Sequence, residues 1–243
     1  MVALRQRTGY GPKRLRYFLA HDHGRAGAAH AIYRVLVQQD LIACRRRRRR
    51  RPGPRYTWPT PGAAVQIDTK YLERLPGPVP GTTVRWFPYT ATDDCTRWRV
   101  IRFYEELSAQ HSVAFLQQVG DALPFRIQRI RTDNGVECTS GPFKVDHPFT
   151  RACQARGRQH RLNRPSHPEA NGKVERSHRT DDEEFYPRTP ARTPQDWLQA
   201  LPRWECFYNT ARPHMGLGML PPVQRHAQWL HEQEGHVHAP SVS

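Results

Sequence analysis

Three acidic residues far apart in the chain are the ones whose types and settings could do chemistry. Glu175 stands in the stretch 163–186, among Lys173, Arg176, His178 and Arg179. A carboxylate set among bases reads either as a metal ligand beside a phosphate path or as one charge on a solvated helix face. Asp68, in AAVQIDTKYL, and Asp133, in RIQRIRTDNGVE, each close a short apolar run. Carboxylate oxygens are the hard donors that Mg²⁺ prefers. Without a cation, three of them brought together would repel one another and raise at least one pKa.

The elements that must position these acids are legible. Val65, Ile67, Thr69 and Tyr71 alternate with Gln66, Asp68 and Lys70, the period of a half-buried strand, which puts Asp68 on the polar face. Phe125, Ile127 and Ile130 lead to Asp133-Asn134-Gly135, where Asn-Gly calls for a turn, so Asp133 falls at a strand end. Two prolines hold 164–168 extended, and a helix carrying Glu175 is expected from about Glu169. Stretches 84–94 and 97–104 read as two more strands, and Ser108 caps a helix with Val113, Leu116 and Val119 on its apolar side. Strand–strand–strand–helix–strand suits an α/β mixed sheet flanked by helices. Asp93-Asp94 is either a rival metal pair or the turn between two strands.

QIDTKYL, RTDNGVE, NGKVERSHR and YNTARPH, in that order, resemble the integrase-core, or DDE, transposases of bacterial insertion sequences, relatives of retroviral integrases. The resemblance runs from about Thr8 to about Pro222. It implies a ribonuclease-H-like core in which Asp68, Asp133 and Glu175 are catalytic and bind two Mg²⁺ (or Mn²⁺) ions. The implied activity is DNA cleavage and strand transfer, with element ends and target DNA as partners and a homo-oligomer assembled on them. Two ions roughly 3.5–4 Å apart would serve the attacking and leaving oxygens of an in-line displacement at phosphorus.

Two departures accompany the resemblance. Forty-one residues separate Asp133 from Glu175, against about 35 in the family, and the surplus falls in a Pro-bounded insertion at 141–149. Asp146 and His147 within it are either extra ligands or plain loop. Asp182, two helical turns past Glu175, is acidic where family members often carry a base that touches donor DNA. Arg176 and Arg179 are the candidates to take over that contact. Lys173 reads as a cation beside the transferring phosphate or as an ordinary surface lysine.

Charge is unevenly placed. Residues 1–61 hold 15 Lys and Arg against 2 Asp and Glu, a net of +13 out of the chain's +16. Such asymmetry points to a polyanion partner. Within it, residues 1–44 suggest two short helices, a helix-turn-helix remnant with Arg34 on the outer face of the second, or a two-helix structural cap. Residues 45–61 form an Arg/Pro-rich linker that Trp58-Pro59 would staple to the core. Its arginines Arg45, Arg46, Arg47, Arg48, Arg49, Arg50 and Arg51 suit salt-sensitive contact with DNA backbone. The catalytic core is expected over 62–230 and a disordered tail over 231–243.

Five scattered cysteines without a CxxC pair argue against a zinc ribbon or a disulfide framework. No apolar run nears the roughly 20 residues of a membrane span, so no membrane partner is expected, and the expected location is a bacterial cytoplasm, on the nucleoid. A ribonuclease-H-like nuclease is a second enzymatic reading, and a catalytically impaired copy acting as a DNA-binding regulator a third.

Overall fold

The computed structural model describes residues 1–25, 27–42, 57–77, 79–140, 146–163 and 171–237. The arginines at 45–51, the RPSHP loop and most of the 141–149 insertion lie outside these residues. The chain divides into two units, one of 1–56 with 213–220 and one of 57–212 with 221–243.

In the first unit, α1 (Val2–Thr8), α2 (Pro12–His23) and α3 (Ala29–Gln38) follow one another. Pro12 opens α2 at a position where its missing N–H costs nothing, and Gly24 closes it at φ 61°. Leu15, Ile32 and Leu36 are buried, as the 3.6-residue pattern requires. The short α1 was not anticipated; with Arg5 and Arg7 in its last turn and no buried residue, it carries no apolar stripe to read.

The second unit is built on β1 (Val65–Thr69). A small ribbon, β2 (Leu75–Pro76) with β3 (Thr83–Val84), precedes β4 (Phe87–Asp93), so the apolar run expected as one strand from residue 84 is broken. Next come β5 (Arg99–Tyr104), α4 (Ala109–Ala122), β6 (Arg129–Thr132), α5 (Pro148–Ala155) and β7 (Gln159–Leu162). The sheet order is β5-β4-β1-β6-β7; β4 is antiparallel to both neighbours, while β1, β6 and β7 run parallel. The polar sequence QHRL hid β7, whose pattern shows no apolar alternation. The unit ends with α6 (Gly172–Glu184), α7 (Pro194–Thr210) and α8 (Pro222–Val237). The tail expected to be unstructured from residue 231 is therefore helical through Val237.

One face of the sheet is apolar. Val65, Ile67, Tyr89, Ala91 and Val100 pack with Phe115, Leu116 and Val119 of α4 and with Phe149 and Cys153 of α5. The opposite face is apolar only toward β5, where Ile101 and Phe103 meet Trp197, Leu201, Trp204 and Tyr208 of α7. Between them runs a polar strip of Gln66, Thr90, Thr92 and Arg99, all fully buried, with Asp68 at its end. Helix α6 lies over that strip. A helix seated on polar groups is held by directed bonds, so its position along and about its axis is specified by named partners.

Candidate active site

Strand β1 sets the level of two of the acids. It pairs with β6 in the register Val65↔Ile130 and Gln66↔Arg131. Carried forward by two residues, that register brings Asp68 level with Asp133, just past the end of β6. Neighbouring strands lie about 4.8 Å apart, and partners across a parallel pair point to the same face. The face is that of Gln66, under α6.

Gln66 also places the third acid. The N-cap residue of α6, Asn171, makes no side-chain capping bond. Instead the Gln66 carbonyl oxygen accepts from the backbone N–H of Lys173 and of Val174, each at 3.2 Å, satisfying two of the helix's open donors from a neighbouring strand. Glu175 follows directly. One turn on, His178 Nε2 lies 3.2 Å from Asp68 Oδ2, in ion-pair range but without the alignment of a hydrogen bond. Asp68 and Glu175 are thus linked through β1 and through α6.

The acids feel one another. Partial burial, then the charges of Asp68 and Glu137, push the Asp133 carboxyl above its ordinary range, against a hydrogen bond from the Gly135 N–H at 3.1 Å. Burial, then the charges of Asp68 and Asp133, do the same to Glu175, with His178 opposing. Repulsion of this kind at Asp133 and Glu175 is what a bound cation would offset. Among the described residues, no three His, Cys, Asp or Glu side chains are drawn closely enough to make a metal cage unaided. The donor set nevertheless suits Mg²⁺, which keeps several waters and takes only one or two carboxylates per ion.

Several expected roles change. Lys173, expected beside the transferring phosphate, instead places its ammonium on the Asp94 carboxylate, and burial lowers its pKa to about 8. Asp94 also accepts from the Trp58 N–H and the Gln66 amide, both at 2.9 Å. Asp93, fully buried, accepts from Gly62 and Thr96. The pair therefore organises the β4–β5 turn and anchors the start of α6. Trp58, held there with its ring under the Arg129 guanidinium at 4.8 Å, ties the described end of the 45–61 segment to this unit. His147 caps α5 by accepting from the Phe149 N–H, and exposed Asp146 meets Arg151 at 3.2 Å, so neither serves as an extra ligand here.

The acidic run at 181–184 is neutralised residue by residue. Asp181 meets Arg99 at 2.8 Å, both fully buried, and Asp182 pairs with Lys70. Glu183 meets Arg179 at 2.7 Å and Arg176 at 3.6 Å, and Glu184 meets Arg212 at 2.7 Å. Asp182 thus presents a paired charge, not a bare one. Arg176 and Arg179 stay exposed on α6, and Arg34 stays exposed on α3. Asn209 bonds both backbone groups of Arg99, and Tyr208 lies 3.8 Å beneath its guanidinium, which gives YNTARPH a structural role.

Comparison with known proteins agrees with this architecture. The fold is that of an integrase catalytic core, a ribonuclease-H-like mixed sheet flanked by helices. A chain of the simian T-cell lymphotropic virus intasome, in complex with PP2A regulatory subunit B56 gamma, matches with a TM-score of 0.56 at 18% identity, covering 96% of this chain and 76% of that one. The catalytic core domain of BIV integrase gives 0.53 at 17% identity, covering 71% and 99%. That of HTLV-2 integrase, in complex with magnesium, gives 0.51 at 15%, covering 68% and 97%. In sequence, residues 156–222 match the family described as the integrase core domain, a span that includes Glu175 but neither aspartate. No curated protein sequence matches the chain.

Proposed function

We propose that the protein is a DDE-type transposase or integrase that cuts DNA at element ends and joins the 3′-hydroxyl to target DNA. What supports this reading is the common level of Asp68 and Asp133 at the ends of two central strands beneath α6, where the charge of Asp68 raises the proton affinity of Asp133 and of Glu175. These three would hold the metal ions. Bound there, Mg²⁺ or Mn²⁺ supplies activation of the attacking oxygen and stabilisation of the leaving one. Gln66 keeps Glu175 at a fixed height above Asp68, and His178 restrains the Asp68 carboxylate. Arg34, Arg176, Arg179 and the arginines at 45–51 would neutralise backbone phosphates, and joining two ends calls for a homo-oligomer on DNA.

A catalytically impaired DNA-binding regulator is the second reading. It is favoured by the engagement of Lys173 with Asp94, which leaves the three acids without that cation. A metal-dependent joining assay, with oligonucleotides from the DNA flanking the reading frame, separates the two. The transposase reading expects joining by the native chain and its loss in Asp133→Asn, with DNA retention nearly unchanged. Equal joining by both overturns the catalytic assignment, and DNA retention without any joining selects the regulator.

A further inference from the structure

We propose that Glu137 is a positioning residue that fixes Asp133 against Asp68 through a hydrogen bond to Thr69. The inference rests on the catalytic reading above and extends it to a residue outside the three acids. Glu137 is only 4% exposed, although its neighbour Val136 is 77% exposed. The loop after β6 therefore turns one side chain out and the next one in. Its carboxylate accepts from Thr69 Oγ1 at 2.8 Å, and Thr69 directly follows Asp68 at the end of β1. The loop between Asp133 and Glu137 is thus tied to the residue beside the other aspartate.

Gly135 fits the same arrangement. It is not in the left-handed region that glycine usually serves in an Asn-Gly turn. A Cβ built on it would stand 2.5 and 2.6 Å from the two Glu137 carboxylate oxygens. A larger residue here would push the Glu137 carboxylate from its place, because the loop backbone folds directly over it. Backbone bonds from Cys138 and Thr139 to the Gly135 carbonyl, each 3.0 Å, close the loop around it. Asp133 lies past the last residue of β6, and the hydrogen bond to its carboxylate from the Gly135 N–H comes from its own loop. The paired register of β1 with β6 ends at Gln66↔Arg131, and the Glu137–Thr69 bond is the tie that reaches beyond it.

Outer groups that orient metal ligands typically change metal affinity by about 10–100-fold when removed. The test is calorimetric titration of the full chain with Mn²⁺, together with the unfolding midpoint in the absence of metal. The native chain is expected to bind Mn²⁺, and Asp133→Asn to lose that binding. Glu137→Ala and Thr69→Val should each weaken it by about 10–100-fold, and the double variant should be no weaker than Glu137→Ala alone. Glu137→Gln, which keeps an acceptor for Thr69, should bind nearly as the native chain does. If Glu137→Ala fails to fold without metal, Thr69→Val decides, since valine keeps the shape of threonine.

Native-like binding in both Glu137→Ala and Thr69→Val overturns the proposal while leaving the catalytic reading intact. Strictly additive losses, or a Glu137→Gln variant as weak as Glu137→Ala, overturn the hydrogen-bonded route. A native chain that binds no Mn²⁺, or binds it equally after Asp133→Asn, removes the catalytic reading, and this inference falls with it.

Discussion

The two ends of α6 treat negative charge in opposite ways. At its start, burial and the like charges of Asp68 and Asp133 raise the proton affinity of Glu175, with His178 opposing. At its end, Asp181, Asp182, Glu183 and Glu184 each meet a lysine or arginine. The sequence offers one acid among bases at the start and four consecutive acids at the end, and the partners in space invert that reading. Partners close in space and distant in sequence distinguish a structural acid from one left available to a cation.

The sharpest way to break this contrast is at the paired end. Asp181→Ala leaves the Arg99 guanidinium buried, among Trp204 and Tyr208, without its counter-charge. A loss of about 3–5 kcal/mol is expected, read as a lower urea midpoint. Asp182→Ala, at a half-exposed pair, should cost under about 1 kcal/mol in the same measurement. If the two variants unfold alike, the buried pair is not what holds the end of α6.

The next effect belongs to the unpaired end. Mg²⁺ at 100 times its dissociation constant should stabilise the native chain by about 2.7 kcal/mol. Thermal unfolding at rising Mg²⁺ checks this. Asp133→Asn should abolish the shift, whereas Asp182→Ala should keep it.

The smallest effect depends on pH. Asp133 and Glu175 have raised proton affinities in the folded chain, so between the ordinary carboxylate range and their raised values the folded state binds more protons than the unfolded one. Stability then falls as pH rises through that window. Without metal, Glu175→Gln should therefore stabilise the chain at neutral pH, by roughly 0.5 kcal/mol, the scale of a screened charge pair. The gain should vanish below the ordinary carboxylate range. Unfolding midpoints of the native chain and the variant across pH test the sign, and a gain that grows toward acid would contradict it.

Much of this was legible because Asp68 and Asp133 stand at the ends of elements of strong local pattern. The alternation around Asp68 and the apolar run before Asp133 predicted strands from side-chain types alone, and β1 and β6 lie there. What stayed hidden depends on pairing across the chain. Lys173 looks available in NGKVERSHR because Asp94, its partner, is 79 residues away. Gln66 reads as one more polar position of a strand until α6 arrives above it. Glu137 stands four residues after Asp133, where periodicity cannot say which way an irregular loop turns. Helix α8 went unread altogether, because polar and charged residues are interspersed among the few apolar ones of its sequence.

Gln66 has one more consequence. A slip of β1 by a single residue would rotate Asp68 into the apolar layer and withdraw the cap from α6 in the same motion. Misregistered chains would therefore lose the placement of two of the three acids together, so that no misaligned form keeps half of the set.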